Sequence, residues 1–248
     1  MTDPDWTDNA FLGGRLHLRQ PALGYRIAID PLLLQAALEI GQGARVLDLG
    51  SGVGGAALPL AWRRADLHVT GLEREPPLAA AMRRNIETNG LDGRAAVVVG
   101  DAAAPPFRPR SFDAVLTNPP YLAPGRATPP KTALGRRARQ ETTLDLAAWL
   151  ASAAALVRPG GQVLVVHRAD RLGELAAAME RFGGGIEVLP VRPRAGRPAR
   201  RVLVRTRVGR TRPSRLLAGL DLHGPDGHFT EGADRILRDG GALSWEQA

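Results

Sequence analysis

The chain has 248 residues and no cysteine, which excludes disulfides, thiolate metal sites and cysteine nucleophiles. This length fits one α/β domain with little left over for a second module. The formal charge of +8 and the pI of about 11.2 favour an anionic partner, nucleic acid before membrane. Lys131 is the only lysine, so part of this arginine excess is what a codon-biased genome would produce.

No targeting, membrane or metal-binding segment is expected. Residues 1–9 are acidic and polar, unlike a signal or transit peptide, and the most apolar helical stretch, residues 144–157, is too short to span a bilayer. The five histidines show no ligand spacing. We therefore expect a cytoplasmic protein that holds no metal.

A hairpin and a helix are predicted at the N-terminus. Apolar residues alternate with polar ones on both sides of residues 20–24, which predicts an antiparallel hairpin; they are Leu16, Leu18, Tyr25, Ile27 and Ile29. Asp30 at the N-cap and Pro31 at the first helical position begin a helix that ends at Gly41 and Gly43. We expect residues 1–44 to pack on a main domain of residues 45–248, as one structural unit.

From Arg45 onward, short apolar strands alternate with helical stretches, the pattern of a parallel, doubly wound sheet. The predicted strands are residues 46–49, 67–72, 95–99, 114–117 and 162–166, and the predicted helices end at Arg64 or cover residues 77–89, 144–157 and about 172–182. Residues 186–191 and 201–206 are predicted to close the sheet as two antiparallel strands.

The glycine-rich segment after the first of these strands predicts a ligand-binding loop. Asp48 precedes a turn that contains Gly50, Gly52 and Gly54, and glycine permits both a tight turn and close approach of a ligand to the backbone. Together with Gly55, the loop also satisfies the dinucleotide pattern, so a nicotinamide enzyme remains open at this point.

Carboxylates after the first three strands favour S-adenosylmethionine instead. Glu73 is suited to bind both hydroxyls of a ribose, and Asp101 can accept a hydrogen bond from an adenine amino group. Asp48 can face the ammonium group of a methionine moiety, whereas it would repel a pyrophosphate. The alternative is that each carboxylate only caps a helix or turn, or is satisfied at its strand end.

The sequence Asn118-Pro119-Pro120-Tyr121 follows the fourth strand and indicates chemistry at a planar amino nitrogen. Such a nitrogen is a poor nucleophile until hydrogen-bond acceptors draw its lone pair out of conjugation. The Asn118 side-chain oxygen and the Pro119 carbonyl can serve as those acceptors, and Tyr121 offers a ring for stacking a base. Alone, these residues would equally suit a rigid turn, but four consecutive strand ends with site residues favour the N-methyltransferase interpretation.

With these motifs, the chain from about residue 25 to residue 206 resembles the class I S-adenosylmethionine-dependent methyltransferases that modify amino groups. The resemblance implies a Rossmann-like fold, with a mostly parallel seven-stranded sheet and helices on both faces. Two further segments, residues 24–34 and 138–141, are similar to the bacterial tRNA adenine-N6 methyltransferases that act beside the anticodon of a valine tRNA. This implies a tRNA substrate and a cofactor-site role for Asp30 beside its capping role; the alternative is that Asp30 only caps the helix.

A basic stretch is expected to contact RNA phosphates, unless it is plain solvated surface. Its ten arginines, with no acidic residue among them, are Arg192, Arg194, Arg197, Arg200, Arg201, Arg205, Arg207, Arg210, Arg212 and Arg215. Arg136, Arg137 and Arg139 would form a second patch near the site.

Other functions stay open. Methyltransferases that modify glutamine in release factors share the tetrapeptide but carry a helical domain ahead of the fold, and only about 45 residues precede Val46 here. A guanine-N2 rRNA enzyme usually has Phe in place of Tyr121, and a DNA adenine methyltransferase needs a target-recognition domain. A nicotinamide oxidoreductase leaves residues 118–121 without a role, and an inactive RNA-binding protein would not need the intact acceptors.

Overall fold

The computed structural model describes residues 5–23, 26–120 and 144–246. Its first element is an antiparallel hairpin of β1 (Trp6–Phe11) and β2 (Leu16–Pro21). An N-terminal hairpin was predicted and is present, but its predicted turn at residues 20–24 is wrong, because β2 pairs with the segment before it. A short 3-10 turn, Leu12–Gly14, joins the two strands with positive φ angles of 49°, 63° and 90°. Gly13 and Gly14 adopt such angles without strain, which places the turn there.

The first helix, α1 (Ile29–Ala36), differs from its predicted capping and end. Ala28, not Asp30, is the N-cap residue, and Asp30 lies inside the first turn with its carboxylate accepting a hydrogen bond from Arg201 Nε at 2.9 Å. The helix ends at Ala36, before Gly41, and near this end Arg63 Nη2 donates to the Gln35 carbonyl at 2.7 Å. A side chain from another helix therefore satisfies the helix end in place of a glycine turn.

The main sheet is Rossmann-like, as predicted, with strands alternating with helices along the chain. Its elements are β3 (Arg45–Leu49), α2 (Ala57–Arg63), β4 (His68–Glu73), α3 (Pro76–Thr88), β5 (Ala95–Val99), β6 (Phe112–Thr117), α4 (Leu146–Leu156), β7 (Val157–Arg168), α5 (Leu172–Glu180), β8 (Ile186–Arg194), β9 (Arg201–Arg207), β10 (Arg215–Leu216), β11 (Leu220–His223) and α6 (Glu231–Asp239). The predicted strands and helices from residue 45 to residue 206 all correspond to elements of this series.

The strand order is β5-β4-β3-β6-β7-β9-β8, and β10 and β11 both pair with β8. All pairs are parallel except the two that β9 makes with β7 and β8. The described sheet thus has nine strands where seven were predicted, because residues 215–223 add two short strands to its edge. These strands have only two and four residues, too short for a recognisable alternating pattern.

Buried side chains cover both faces of the sheet. One cluster packs α1, α2, α3 and α6 on one face, and the other packs α4 and α5 on the opposite face. Leu12, Leu16 and Leu18 of the N-terminal segment belong to the first cluster. The hairpin therefore shares a core with the sheet; the boundary at residue 44 remains a prediction.

The chain runs from β3 outward to β5 and returns to β6 on the other side of β3. In the register of the β3–β6 pair, Leu49 lies opposite Thr117, so the loops that follow these two strands begin side by side. Ligands of open α/β sheets bind at such a switch point. The fold consequently brings the glycine loop and Asn118 to one place.

Two asparagines, one in α3 and one directly after it, bind the hairpin to this region. Asn85 accepts from the Arg19 N–H at 2.7 Å and donates to the Arg19 carbonyl at 3.1 Å and to the Val53 carbonyl at 3.0 Å. One helical turn later, Asn89 makes the same pair of contacts with the His17 N–H and carbonyl, at 2.9 and 2.8 Å. The two amides act as a partner strand for β2, and Asn85 also holds the glycine loop.

We predict that Asn85→Ala lowers the free energy of unfolding by about 2–3 kcal/mol, because it leaves backbone groups of Arg19 and Val53 unpaired in a buried setting. The matched variant Asn89→Ala removes contacts at a more exposed position and should cost about 1 kcal/mol. Urea unfolding of both variants measures the difference. Equal losses would contradict the central place assigned to Asn85.

Candidate active site at the carboxyl edge of the sheet

The glycine loop adopts the backbone that the sequence predicts for it. Gly50, Gly52 and Gly54 have φ angles of 79°, 57° and 94°, all in the left-handed region that favours glycine. The N–H groups of Gly50 and Ser51 both donate to the Leu72 carbonyl, at 2.9 and 3.0 Å. The loop is thereby attached to the end of β4, directly beside Glu73.

Asp48 lies at the base of this loop and is 3% exposed. Its Oδ2 accepts a hydrogen bond from the Ala57 N–H at 3.1 Å, at the start of α2. Burial raises the pKa of Asp48 to about 7; the nearby charge of Glu73 also raises it, and the Ala57 hydrogen bond lowers it. A buried carboxylate without a cation is costly, so a positively charged ligand group beside Asp48 would be stabilised.

Glu73 holds two neighbouring loops through its carboxylate. Oε2 accepts from the Gly52 N–H and Oε1 from the Glu75 N–H, both at 2.8 Å. Burial raises the pKa of Glu73, while these hydrogen bonds lower it. Each oxygen keeps a second lone pair, so the carboxylate can still accept from hydroxyl groups.

Asp101 follows β5 and caps its own turn, with Oδ1 accepting from the Ala103 N–H at 2.9 Å. The preceding N–H, of Gly100, donates to the Glu73 carbonyl at 3.0 Å. Asp101 is partly exposed, and its second oxygen has no hydrogen-bond partner among the described residues. The loop after β5 therefore lies next to the end of β4 with a carboxylate oxygen to spare.

Asn118 carries a buried, unsatisfied polar atom at this edge, and so does Ser51 of the glycine loop. Asn118 Oδ1 and Ser51 Oγ accept no hydrogen bond from any described residue, and Pro119 beside Asn118 is buried. Buried acceptors are nearly always paired, so an unpaired one at a strand end indicates a site that a ligand donor completes. Tyr121 lies outside the described residues, as do Arg136, Arg137 and Arg139.

Trp149 of α4 is a site residue that the sequence did not reveal. Its Nε1 donates to Thr117 Oγ1 at 2.9 Å, and that hydroxyl donates to the Leu49 carbonyl, also at 2.9 Å. A side chain at Gly50 would have its Cβ 3.0 Å from the Trp149 ring. The indole therefore fixes the residue before Asn118 and covers the first glycine of the loop.

The same helix contacts a third loop, since Ser152 Oγ donates to the Ala102 carbonyl at 2.6 Å. Helix α4 begins with Asp145, whose side chain accepts from the Ala148 N–H at 2.7 Å. Trp149 and Ser152 are three residues apart and so share one face. In the sequence, the only signal that could have identified Trp149 and Ser152 as contacts of these loops is their spacing in an otherwise apolar helix. That signal is weak.

The remaining predicted cofactor residue, Asp30, lies beside the glycine loop, but its carboxylate is engaged elsewhere. A Cβ on Gly55 would meet Ile27 at 3.1 Å and Pro31 at 3.3 Å, so the turn that carries Asp30 packs on this loop. The carboxylate itself pairs with Arg201 of β9. Its role in cofactor binding stays a prediction.

The basic stretch does not form one patch. Arg192, Arg201, Arg205 and Arg215 form ion pairs with carboxylates. The other six are exposed and form no ion pair within the described residues; they are Arg194, Arg197, Arg200, Arg207, Arg210 and Arg212. Because β9 is antiparallel to its neighbours, the first three lie at the carboxyl edge with Asn118, and the last three lie at the opposite edge.

Within residues 5–23, 26–120 and 144–246, no three His, Cys, Asp or Glu side chains are grouped so that they could hold a metal ion. The same part of the chain contains no helix with the length and apolar character needed to cross a membrane.

Comparisons with a family model and with individual proteins both identify methyltransferases. Residues 29–190 match the family described as methyltransferase small domain. The tRNA1(Val) (adenine(37)-N6)-methyltransferase of Edwardsiella ictaluri is 30% identical and 79% of each chain is covered. The protein of the same name from Klebsiella pneumoniae subsp. pneumoniae is 29% identical, with 93% of this chain and 94% of that protein covered.

Solved structures show a similar fold. The crystal structure of a predicted O-methyltransferase from Agrobacterium tumefaciens has a TM-score of 0.72, is 26% identical, and covers 86% of this chain and 98% of its own. The structure of P. horikoshii TYW2 in complex with MeSAdo has a TM-score of 0.56, is 15% identical, and covers 84% and 73% of the two chains. At that identity the second likeness concerns the fold alone.

We predict that Asp48→Asn stabilises the protein above neutral pH. The pKa of Asp48 is raised from 3.8 to about 7 in the folded protein, so ionisation penalises the native state increasingly as the pH rises through this interval. The variant should match the wild type near pH 4 and exceed it by about 2–4 kcal/mol at pH 8, because the amide oxygen still accepts from Ala57. Urea unfolding across this pH range measures it; a difference that does not change with pH would contradict the raised pKa.

Proposed function

We propose that this chain, which belongs to the methyltransferase small domain family, transfers a methyl group from S-adenosylmethionine to adenine N6 in tRNA. The observation that carries the choice of an amino nitrogen is the buried, unpaired Oδ1 of Asn118. An exocyclic NH2 group supplies the donor that this oxygen lacks. The Pro119 carbonyl is the second acceptor in this proposal.

Two acceptors at this point change the reactivity of the amine. Hydrogen bonds from both N–H bonds of the amine to these acceptors draw the nitrogen out of the plane of the base. They also turn its lone pair toward the methyl donor. Thr117, held by Trp149, positions Asn118 for this contact. Catalysis then rests on positioning and electrostatics, and the proton leaves to water or to the same acceptors as the nitrogen gains its methyl group.

The residues beside the glycine loop fit S-adenosylmethionine, which supplies an electrophilic methyl group on a sulfonium when bound. Asp48, buried and without a cationic partner among the described residues, suits the ammonium of the methionine moiety. Glu73 retains lone pairs for ribose hydroxyls, and Asp101 retains an oxygen for an adenine amino group. The left-handed glycines let the backbone approach the ligand closely.

The tRNA substrate is supported by three arguments. The relatives that align with most of the chain are named as tRNA1(Val) (adenine(37)-N6)-methyltransferases. Arg194, Arg197 and Arg200 are exposed at the same edge as Asn118 and are not engaged by described carboxylates. An unpaired adenine in an anticodon loop also costs less to extrude than a base in a duplex. A cytoplasmic location remains our prediction.

We predict that Asn118→Ala reduces the rate of methyl transfer about 100-fold or more, on the scale seen when one aligned hydrogen-bonding group is lost. Because Oδ1 has no partner in the described protein, its removal should leave the thermal midpoint equal or higher, and S-adenosylmethionine affinity near the wild-type value. Radiolabel transfer to tRNA, calorimetry and a thermal melt give the three readings.

The assay for Asn118→Ala includes a release-factor glutamine peptide and rRNA as alternative acceptors. Methylation of tRNA adenine by the wild type, lost in the variant, supports the proposal. Wild-type transfer only to the peptide or to rRNA, or full tRNA activity in the variant, would overturn it.

A second prediction concerns the arginines of the carboxyl edge. The double variant Arg197→Ala/Arg200→Ala should weaken tRNA binding and reduce the magnitude of the slope of log affinity against log salt by about 1.4–1.8, since each lost phosphate contact removes roughly 0.7–0.9. The matched control is Arg83→Ala/Arg84→Ala, which removes two equal charges from the exposed side of α3. Filter binding over a salt series measures the slopes, and identical slopes in the two variants would place the RNA elsewhere.

A further inference from the structure

A groove at the amino edge of the sheet lies away from the site described so far. Its empty space is about 770 Å³, open to solvent, where β7 and β8 begin and β9 ends. The residues that matter for its chemistry are Gln162, Arg207, Arg210 and Arg212. A neighbouring cavity of about 600 Å³ shares Gln162 and Arg207 with the groove.

Gln162 gives the groove an unsatisfied amide. It is 2% exposed, and neither its side-chain nitrogen nor its side-chain oxygen has a hydrogen-bond partner among the described residues. The register of β7 with β9 places it opposite Arg207, on the same face of the sheet. A buried amide with both donor and acceptor unpaired is costly, and the group that satisfies both at once is an adjacent acceptor and donor, as on the edge of a nucleobase.

The charge of the groove selects an anion. The only carboxylate among the described residues that line the groove itself, that of Glu187, is paired with both Arg205 and Arg215. Arg207, Arg210 and Arg212 are exposed and have no ion pair with any described residue, so the groove carries an excess of positive charge. Guanidinium groups bind phosphate oxygens through paired N–H donors.

We propose that this groove binds one nucleotide unit, with its base edge on the Gln162 amide and its phosphate on Arg210 and Arg212. Because the amide is buried, binding of the base would require the exposed Arg207 side chain beside it in the groove to move aside. Gln162 pairs with Ala114 in β6, four residues before Asn118, so the groove lies roughly 13 Å along the strands from the proposed acceptor site. It is a separate site, and the proposal does not depend on the proposed function.

The nucleotide unit belongs either to an RNA strand or to a free mononucleotide, and two arms of one experiment distinguish them. Calorimetry with AMP, CMP and inorganic phosphate is run with saturating S-adenosylhomocysteine, so that adenosine-binding groups at the carboxyl edge are filled. Fluorescence anisotropy with bulk tRNA forms the second arm. Both arms use the full chain and the variants Gln162→Leu and Arg210→Ala/Arg212→Ala, with Arg83→Ala/Arg84→Ala as the charge-matched control.

We expect mononucleotide affinity to fall about 5-fold or more in both groove variants but not in the control. The affinity for inorganic phosphate should fall in the arginine variant and stay unchanged in Gln162→Leu, because phosphate does not contact the amide. A parallel loss of tRNA affinity identifies an RNA strand as the occupant, and unchanged tRNA affinity identifies a free nucleotide. Thermal melts should show Gln162→Leu to be as stable as the wild type or more so, since an unpaired amide is removed.

Mononucleotide and tRNA affinities that are equal in the wild type, the groove variants and the control would overturn the proposal. So would a Gln162→Leu variant that folds and binds every nucleotide as the wild type does. If Gln162→Leu fails to fold, the arginine variant alone tests the proposal. Its substituted side chains are exposed, so it is expected to fold. Methyl transfer and its loss in Asn118→Ala are independent of these outcomes, so failure here leaves the proposed function standing.

Discussion

The site depends on one hydrogen-bonded relay at the end of β6. Trp149 donates to Thr117, and Thr117 donates to the Leu49 carbonyl, so the ends of β6 and β3 are held together from the side of α4. Asn118 begins where this relay ends, and Asp48 lies one residue before Leu49. The oxygen that we propose as the amine acceptor and the carboxylate that we propose as a cofactor ligand thus share one support, as accurate positioning of reacting groups requires.

This rigid support carries groups that are individually unfavourable. Asp48 is buried with a pKa near 7, Glu73 is buried beside it, and Asn118 Oδ1 has no partner among the described residues. In each case the folded protein bears a cost that a bound ligand would relieve. Buried polar groups of this kind concentrate where a protein binds or reacts, because there the missing partner comes from outside the chain.

The local patterns of the chain predicted much of this site. The strands from β3 to β9, the glycine turn, and the positions of Asp48, Glu73, Asp101 and Asn118 at strand ends all follow from short-range signals. Glycine dihedral preferences and apolar strand runs act within a few residues and are readable directly. Trp149 was missed because its function arises from contacts with Thr117 and Gly50, which lie 32 and 99 positions away along the chain.

Tertiary structure alone decided how distant segments combine. The sequence predicted that Asp30 lies at the start of a helix, but only the fold shows that it pairs with Arg201. The position of the hairpin likewise depends on the pairing of β2 with β1. The ten arginines formed one basic run in the sequence, and the antiparallel β9 divided them between opposite edges of the sheet. The sequence by itself determined the strand ends and their chemistry, because these depend on neighbouring residues. Which of those groups meet, and which charges remain unpaired, depends on strand order and register, and these follow from packing across the whole chain.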